Sequence, residues 1–319
     1  MYINLGGQPA MLISAAFALN TIGQFALVAL LATFLLSRVV YHCSPVLFNL
    51  LLVCLAATVP QYFLMYAGQI YNPNPPAALC ATQAALVEGL HCAFAVVSLC
   101  LVVEYLAESH TISSKTTRVR YLKITLVALP YLTFLPFSLG VGAYGVSHPG
   151  DVRHMPNDLT CTLQNRTLIT GTRIVIAILV IVTLATTGPT VTTAFAVIHT
   201  LTTRKHLFCK RLPPPSLSRV ARIASFALFQ ATLLIFNVLR TYVASDFLRV
   251  AYMVLQALTP LITALNFGSK VECYQAWKSA AIGLSRDWFS KRSCQGTSTA
   301  DARQEMRIVV DKSVSVVVD

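Results

Sequence analysis

Seven long apolar stretches alternate with short polar segments along most of this chain. A helix that crosses a hydrocarbon core about 30 Å thick needs roughly 20 apolar residues. Stretches of that length lie at 11–37, 46–70, 79–105, 121–147, 171–198, 221–244 and 248–268. Lipid offers the backbone no hydrogen-bond partners, so each stretch is predicted to be helical. The pattern therefore predicts an all-α bundle of seven transmembrane helices.

The composition agrees with a membrane environment. Hydrophobic residues make up 55% of the 319 residues and charged residues only 11%, whereas a soluble domain usually carries about 25% charged residues. The first span has no Lys or Arg before it and exceeds the apolar core of a signal peptide, so it is expected to persist as a helix. Residues 1–290 are expected to form the membrane domain, and the polar residues 291–319 a disordered tail.

Basic residues are distributed unevenly between the two sides of the predicted bundle. Most of the 24 Lys and Arg residues follow the first, third and fifth spans or lie in the tail. Because basic loops stay cytoplasmic, the N-terminus is expected outside and the C-terminus inside, in the plasma membrane. Anionic lipid headgroups beside the spans account for the net charge of +12, so membrane lipid is an expected partner and nucleic acid is not.

The segment after Phe267 predicts a short amphipathic helix along the inner leaflet. Its apolar side chains recur at three- or four-residue intervals, at Val271, Tyr274, Trp277, Ala281 and Leu284. Both tryptophans of the chain, Trp277 and Trp288, lie in this region, as expected for side chains that prefer the membrane interface. Cys294 follows a basic pair and is either a palmitoylation site or an inert cysteine.

Under this topology only Cys80 and Cys161, among nine cysteines, face the outer side. Because that side is oxidising, a disulfide between them is expected, and it would close a loop of about 80 residues. The alternative is two unrelated free cysteines. Asn165-Arg166-Thr167 lies in the same outer loop and is a glycosylation sequon, which makes Asn165 the predicted glycan site.

Together, the seven spans, the outer cysteine pair and the amphipathic helix resemble the G-protein-coupled receptor superfamily over residues 1–290. The run from Asn49 to Ala56 resembles the Asn…Leu-Ala run of the second helix in rhodopsin-like members. Glu104-Tyr105-Leu106 stands where they have Asp/Glu-Arg-Tyr, and the run from Thr259 to Thr263 is similar to their Asn-Pro-x-x-Tyr segment. The resemblance implies a receptor that binds an extracellular ligand and signals to a heterotrimeric G protein.

The chain departs from that family at residues that carry activation. Val59 replaces the aspartate of the sodium site, Tyr105 replaces the arginine that members direct toward the G protein, and the sixth span lacks Trp-x-Pro. The resulting interpretation is a divergent rhodopsin-like receptor, similar to the fungal seven-span receptor-like proteins.

Polar residues within the spans are the candidate ligand-binding residues, because ionisable side chains are costly in lipid. Glu88 and His91 lie three residues apart on one face of the third span, and Gln83 lies near that face. We expect these three side chains to line an outward-opening polar cavity together with Arg240 and Gln256. The alternative is that Glu88 pairs with His91 or Arg240 within an interhelical network.

Signalling residues are expected at the inner ends of the spans. Glu104 is expected to form an ionic latch with Arg219 or Arg222 of the sixth span that holds the inactive state; the alternative is an acid solvated among headgroups. The remaining candidates for contact with the G protein are Tyr105, Arg118, Arg204 and Lys205. Pro213-Pro214-Pro215 in the third inner loop either stiffens a docking surface or is a spacer.

Other functions have less support. The sequence has no His-Glu-x-x-His, Gly-x-Ser-x-Gly or phosphate-binding glycine loop, so an enzyme, a metal and a cofactor are not expected. A retinal protein needs a Schiff-base lysine, and 248–268 contains none. The rival is a seven-span transporter of a small solute, because Pro60-Gln61 resembles the Pro-Gln pair of seven-span carriers; the matching pair in the later half, Gly188-Pro189, lacks Gln.

Overall fold

Seven helices long and apolar enough to cross a membrane make up most of the computed structural model. It describes residues 9–36, 44–70, 72, 74–110, 116–154, 159–203, 217–243, 245–269 and 277–278. In chain order the spans are Pro9–Leu36, Pro45–Tyr66, Ala77–His110, Thr116–Ser147, Arg166–Thr203, Leu217–Tyr242 and Asp246–Gly268. The predicted all-α seven-helix bundle is confirmed, and each helix covers its predicted stretch to within a few residues.

Large apolar side chains are exposed on the outer surface of the bundle. Phe25 is 72% exposed, Leu139 68% and Ile181 62%. Water would disfavour such a surface, whereas hydrocarbon accepts it and instead requires the paired backbone that helices provide. The chain is a seven-span membrane protein.

The second span is broken at Pro60. Its helix Pro45–Thr58 continues into a 3-10 turn, Val59–Tyr62, and then into one short helical turn, Phe63–Tyr66. Proline has no N–H to continue the helical hydrogen-bond ladder, which explains why the regular helix ends at this point. The break also leaves the Pro60 carbonyl oxygen accessible to a neighbouring span.

The third span forms the centre of the packing. It contributes side chains to each of the three buried apolar clusters in the described part of the chain. Ala84 and Ala85 pack near its first turns, Cys92 and Ala95 near its middle, and Val102 toward its end. A displacement of this span would therefore disturb side-chain packing in all three clusters.

A small hairpin connects the fourth and fifth spans. Strand β1 (Val152–His154) pairs antiparallel with β2 (Cys161–Leu163), with Val152 opposite Leu163. Cys161 forms a disulfide with Cys80 in the first turn of the third span, and the two Cα atoms are 5.2 Å apart. The predicted cysteine pair is confirmed. We call this end of the bundle the disulfide end, and the other the Glu108 end, after a glutamate in the last turns of the third span.

The chain divides into two units, Met1–Cys273 and Tyr274–Asp319. All seven spans belong to the first. In the second, the structure describes only Trp277 and Lys278, which are helical. The rest of the predicted amphipathic helix, Cys294 and the tail 291–319 lie outside the described residues.

Candidate functional site

A cavity opens between five of the seven spans. Its volume, counted as the space open to the centres of water molecules, is about 90 Å³. One water needs roughly 10–15 Å³ on that measure, so the cavity is large enough for several waters or a small organic molecule. Its walls come from the second, third, fifth, sixth and seventh spans. A molecule that filled the cavity would contact all five.

The cavity lies mainly in the half of the bundle nearer the disulfide end. Its lining residues on the third span extend from Val87 to Ala95. At 1.5 Å per residue they lie roughly 15 to 27 Å along the helix axis from Ala77, the first residue of a span about 51 Å long. The walls are largely apolar, and the polar lining side chains are Thr58, Gln61, His91, Gln230, Asn237, Tyr252, Gln256 and Thr259.

Two of the predicted ligand-binding residues, His91 and Gln256, line this cavity. The other three, Gln83, Glu88 and Arg240, are not among its lining residues. A cavity is therefore present beside the third span, but its wall is largely apolar and three of the five predicted residues are not among those that line it. The reason differs for each of the three.

Glu88 is paired with a residue that sequence reasoning did not select. Its Oε1 lies 2.9 Å from Nη2 of Arg173 on the fifth span, and both side chains are largely buried. The interhelical network that was the alternative interpretation is thus present, but with Arg173 as the direct partner. The signal was available, because Arg173 is an ionisable residue inside the predicted fifth span.

Arg240 lies behind the cavity wall. Its guanidinium carbon is 3.9 Å from the centre of the Tyr252 ring, and its Nε donates to Asn237 Oδ1 over 3.2 Å. Tyr252 and Asn237 both line the cavity. Arg240 therefore supports two lining side chains and does not contribute a charge to the surface.

Gln83 secures the hairpin to the bundle. Its side chain is fully buried; Oε1 accepts from the Cys161 N–H over 3.0 Å, and Nε2 donates to the carbonyls of Pro60 (2.6 Å) and Leu159 (3.4 Å). The break at Pro60 and the residues around the disulfide thus share one side chain. All the hydrogen-bonding groups of Gln83 are used, which explains why it does not reach the cavity.

At the Glu108 end, Glu104 is buried and forms no ion pair with the described residues of the sixth span. Its carboxylate accepts a hydrogen bond from Ser44 at the start of the second span and lies 3.7 Å from Lys123 of the fourth. The expected latch from Glu104 to Arg219 or Arg222 is therefore wrong in its acidic partner. Only 1% of Glu104 is exposed, so it is also not the solvated acid of the alternative.

The ion pair between the third and sixth spans is formed one turn further along, at Glu108. Arg219 Nη1 lies 2.8 Å from Glu108 Oε2, and Lys123 Nζ is 3.3 Å from the other oxygen. The Arg219 guanidinium also lies 5.5 Å from the centre of the Tyr105 ring. The Tyr105 ring thus packs beside a cation from the sixth span.

Arg222 joins the sixth span to the end of the seventh. Its Nη2 donates to the Ser269 carbonyl over 3.0 Å, and its own carbonyl accepts from Asn266 Nδ2 over 2.8 Å. Of the other predicted signalling residues, Arg204 and Lys205 lie outside the described residues, as does the Arg118 side chain. Pro213-Pro214-Pro215 also lies outside them.

Asn165, the predicted glycan site, is the N-cap of the fifth span. Its Oδ1 accepts from the backbone N–H groups of Thr167 and Leu168, at 3.0 and 3.2 Å. Its Nδ2 donates to Tyr144 Oη over 2.6 Å, and that hydroxyl donates to Asp151. Glycosylation of Asn165 stays a prediction.

Comparison with known proteins identifies no relative of this chain. No protein-family model matches the chain, and no curated protein matches it. Among the described residues, no three His, Cys, Asp or Glu side chains come together as a metal site would require. What identifies the chain is its own architecture, which is that of a seven-span membrane protein with a disulfide-tethered hairpin over one end and a cavity among five spans.

Proposed function

We propose that this protein is a receptor that binds an extracellular ligand in the five-span cavity and signals to a cytoplasmic partner, a heterotrimeric G protein. One observation carries the proposal. The third and sixth spans both line the cavity, through His91 and Gln230, and the same two spans are paired at the opposite end through Glu108 and Arg219.

The two contacts give the bundle a route between its ends. Helices are stiff, so a ligand that alters the spacing of the third and sixth spans in the cavity also alters it at the Glu108 end. The Glu108–Arg219 pair is about one-third exposed, and pairs of that kind contribute only about 0–1 kcal/mol. Differential ligand binding of about 1–3 kcal/mol, typical of coupled sites, is enough to open it.

The proposal includes an orientation. The disulfide end faces outward, where an oxidising compartment maintains the Cys80–Cys161 bond. The Glu108 end faces the cytoplasm, and its described basic residues, Lys123, Arg219 and Arg222, fit the charge bias of cytoplasmic ends. Antibody labelling of intact cells expressing tagged chains tests this: an N-terminal tag should be labelled without permeabilisation and a C-terminal tag only after it. The reverse pattern would overturn the orientation.

Nucleotide exchange tests the function directly. The purified chain is placed in vesicles with Gα subunits of each major class, and guanine-nucleotide exchange is followed with and without a panel of peptides, lipids and nutrients. We expect at least one Gα to exchange faster than with empty vesicles, and an active compound to increase the rate further. Failure of every Gα to respond would contradict G-protein coupling.

A small-solute transporter is the second candidate, and Gln61 is the observation that favours it. This residue follows Pro60 in the broken part of the second span and lines the cavity. Broken helices beside a cavity are also how many carriers form their substrate sites. Radiolabelled solute uptake into the same vesicles separates the candidates: uptake above that of empty vesicles, without nucleotide exchange, would favour the transporter.

A further inference from the structure

The cavity wall has no formal charge in the part of the chain that the structure describes. None of its lining residues is Asp, Glu, Lys or Arg. The charged side chains nearby are engaged behind it, Glu88 with Arg173 and Arg240 with Asn237 and Tyr252. A charged ligand would thus leave water for an apolar site without an opposite charge to pair with, which is strongly unfavourable.

Gln230 has a fixed amide orientation that leaves its oxygen without a partner. The Ser98 hydroxyl donates its only hydrogen to the Phe94 carbonyl, over 2.7 Å. Ser98 Oγ must therefore accept from Gln230, so the atom 2.5 Å away is the amide nitrogen. The same nitrogen lies 3.4 Å from the Phe94 carbonyl, which can only accept. The other atom, Oε1, is then the acceptor.

That oxygen is buried and unpaired within the described structure. Gln230 is only 5% exposed, and Oε1 has no hydrogen-bond partner. Gln61 is similar, since it is 4% exposed and its Oε1 is unpaired. The Nδ1 atom of His91 is also buried and unpaired, and it accepts or donates according to the tautomer of the ring. A buried unpaired acceptor is unfavourable by about 1–3 kcal/mol. All three residues line the cavity, but the three atoms themselves are closed off from a water-sized molecule. A donor bound in the cavity therefore reaches them only when the side chain turns toward it.

We propose that the cavity binds a small, uncharged, mainly apolar molecule whose N–H or O–H group donates to Gln230 Oε1. The apolar majority of the wall contacts the body of the ligand, and the unpaired oxygen selects its donor. This rests on the proposed function only in assigning a ligand to the cavity. Binding can be measured without signalling, so the two can fail separately.

Four probes of similar size test the two parts of the proposal. Indole is neutral with one N–H donor, benzofuran has the same shape without a donor, benzamidinium is a cation and benzoate is an anion. Binding to the purified chain in lipid nanodiscs is measured by equilibrium dialysis, with empty nanodiscs subtracted. We expect indole to bind about 3- to 10-fold more tightly than benzofuran, the effect of one neutral hydrogen bond. Both ions should bind roughly 100-fold more weakly than indole, or not at all.

Variants locate the hydrogen bond. Gln230→Met keeps the side chain's length but removes the amide, so it should abolish the preference for indole over benzofuran. Thr232→Val is the matched control, because Thr232 is exposed on the same span and its hydroxyl bonds only to the Leu228 carbonyl of its own helix; it should retain the preference. The comparison of indole with benzofuran on the unaltered chain still tests the need for a donor if Gln230→Met does not fold.

The outcomes decide the proposal. Equal binding of indole and benzofuran would mean that water alone occupies Gln230 Oε1, and would overturn the donor. Tighter binding of benzamidinium or benzoate would overturn the uncharged ligand. Indole selectivity without nucleotide exchange would support this inference while contradicting the receptor. If a charged compound binds in the cavity and stimulates nucleotide exchange, and neither indole nor benzofuran displaces it, the receptor is supported and this inference is contradicted.

Discussion

Glu88 Oε1 and Arg173 Nη2, 2.9 Å apart, form an ion pair between the third and fifth spans with 15% and 7% of the respective side chains exposed. The pair lies inside the membrane-spanning part of both helices. Glu88 Oε2 and two further nitrogens of Arg173 have no hydrogen-bond partner among the described residues. Each charge therefore has the other as its direct ion-pair partner among the described residues.

The first prediction concerns that ion pair. Glu88→Gln or Arg173→Gln alone should destabilise the protein by about 3–5 kcal/mol, because each leaves a buried charge without its partner. The double variant should lose less than the sum, since neither charge remains. Thermal unfolding of the detergent-solubilised proteins measures all four states. Additive losses would mean that the two residues are not coupled.

A second measurement distinguishes a structural role of Glu88 from a direct role in ligand binding. If Glu88 acts only within the interhelical network, cells should display less Glu88→Gln protein on the surface while the surviving molecules retain normal ligand sensitivity. Unchanged surface expression with reduced ligand sensitivity would instead give Glu88 a direct role in the site.

The second prediction concerns Gly23, where the first and seventh spans approach closely. A Cβ atom there would lie 2.7 Å from the Leu261 backbone nitrogen and 2.7 Å from Pro260 Cγ. Gly23→Ala should therefore separate the spans and cost about 1–3 kcal/mol, as overpacking usually does. Gly171→Ala is the control, since nothing lies within 4 Å of its Cβ position. There the better helix propensity of alanine should stabilise by up to about 1 kcal/mol. Equal melting temperatures for the two variants would contradict the close approach.

Most of the fold follows from the sequence because lipid leaves the chain few alternatives. An apolar stretch of sufficient length must satisfy its backbone internally, so the pattern alone predicted seven helices. The Cys80–Cys161 bond followed from the predicted sides of the membrane. The pairing of the helices could not be predicted in the same way, because it depends on which face of each span packs against which neighbour. The spans are apolar on all faces, so the sequence does not show which face that is.

In the candidate site, the sequence did not predict which residues of neighbouring spans contact each other. The 3.6-residue period placed Glu88 and His91 on one face of the third span, but it could not place Arg173 of another span opposite Glu88. Likewise Glu104 and Glu108 lie one turn apart on the same face, so the sequence could not decide which of them reaches Arg219. A rotation or shift of one turn between neighbouring helices changes the answer, and only packing determines it.

The third prediction separates the two roles of the Asn165 sequon. Asn165→Ala removes both the predicted glycan site and the N-cap of the fifth span, and loss of such a cap costs about 1 kcal/mol. Thr167→Ala removes only the glycan site, because Asn165 keeps its contacts with Tyr144 and the helix N-terminus. Gel mobility before and after glycosidase treatment reports the glycan, and unfolding after deglycosylation reports the cap. A glycan that survives Thr167→Ala would show attachment elsewhere.

The fourth prediction concerns Gln83. Gln83→Leu has a similar volume but leaves the Cys161 N–H without the partner it has in Gln83 Oε1, at a cost of about 1–3 kcal/mol for a buried unpaired group. The Pro60 carbonyl loses only its second hydrogen bond, because it also accepts from the Phe63 N–H. Hydrogen exchange at 159–163 should accelerate, since the hairpin loses its link to the third span. Thr82→Val, at the exposed neighbouring position, should leave exchange unchanged. Unaltered exchange in Gln83→Leu would mean that the disulfide alone holds the hairpin.

The last prediction concerns the Glu108–Arg219 contact. If it restrains signalling, Glu108→Gln and Arg219→Gln should each raise basal nucleotide exchange about 2- to 5-fold, which corresponds to at most about 1 kcal/mol. The double variant should signal no more than the stronger single variant, because the same contact is lost in each. Both side chains are about one-third exposed, so unfolding temperatures should hardly change.

Glu104→Gln is the control for that experiment. Glu104 belongs to the same end of the third span, but its direct partners are Ser44 and Lys123, and it forms no ion pair with the described residues of the sixth span. Its replacement should leave the third and sixth spans paired and basal exchange unaltered. If Glu104→Gln raises exchange while Glu108→Gln does not, the restraint lies between the second, third and fourth spans, and the link from the cavity to the Glu108 end through Arg219 fails.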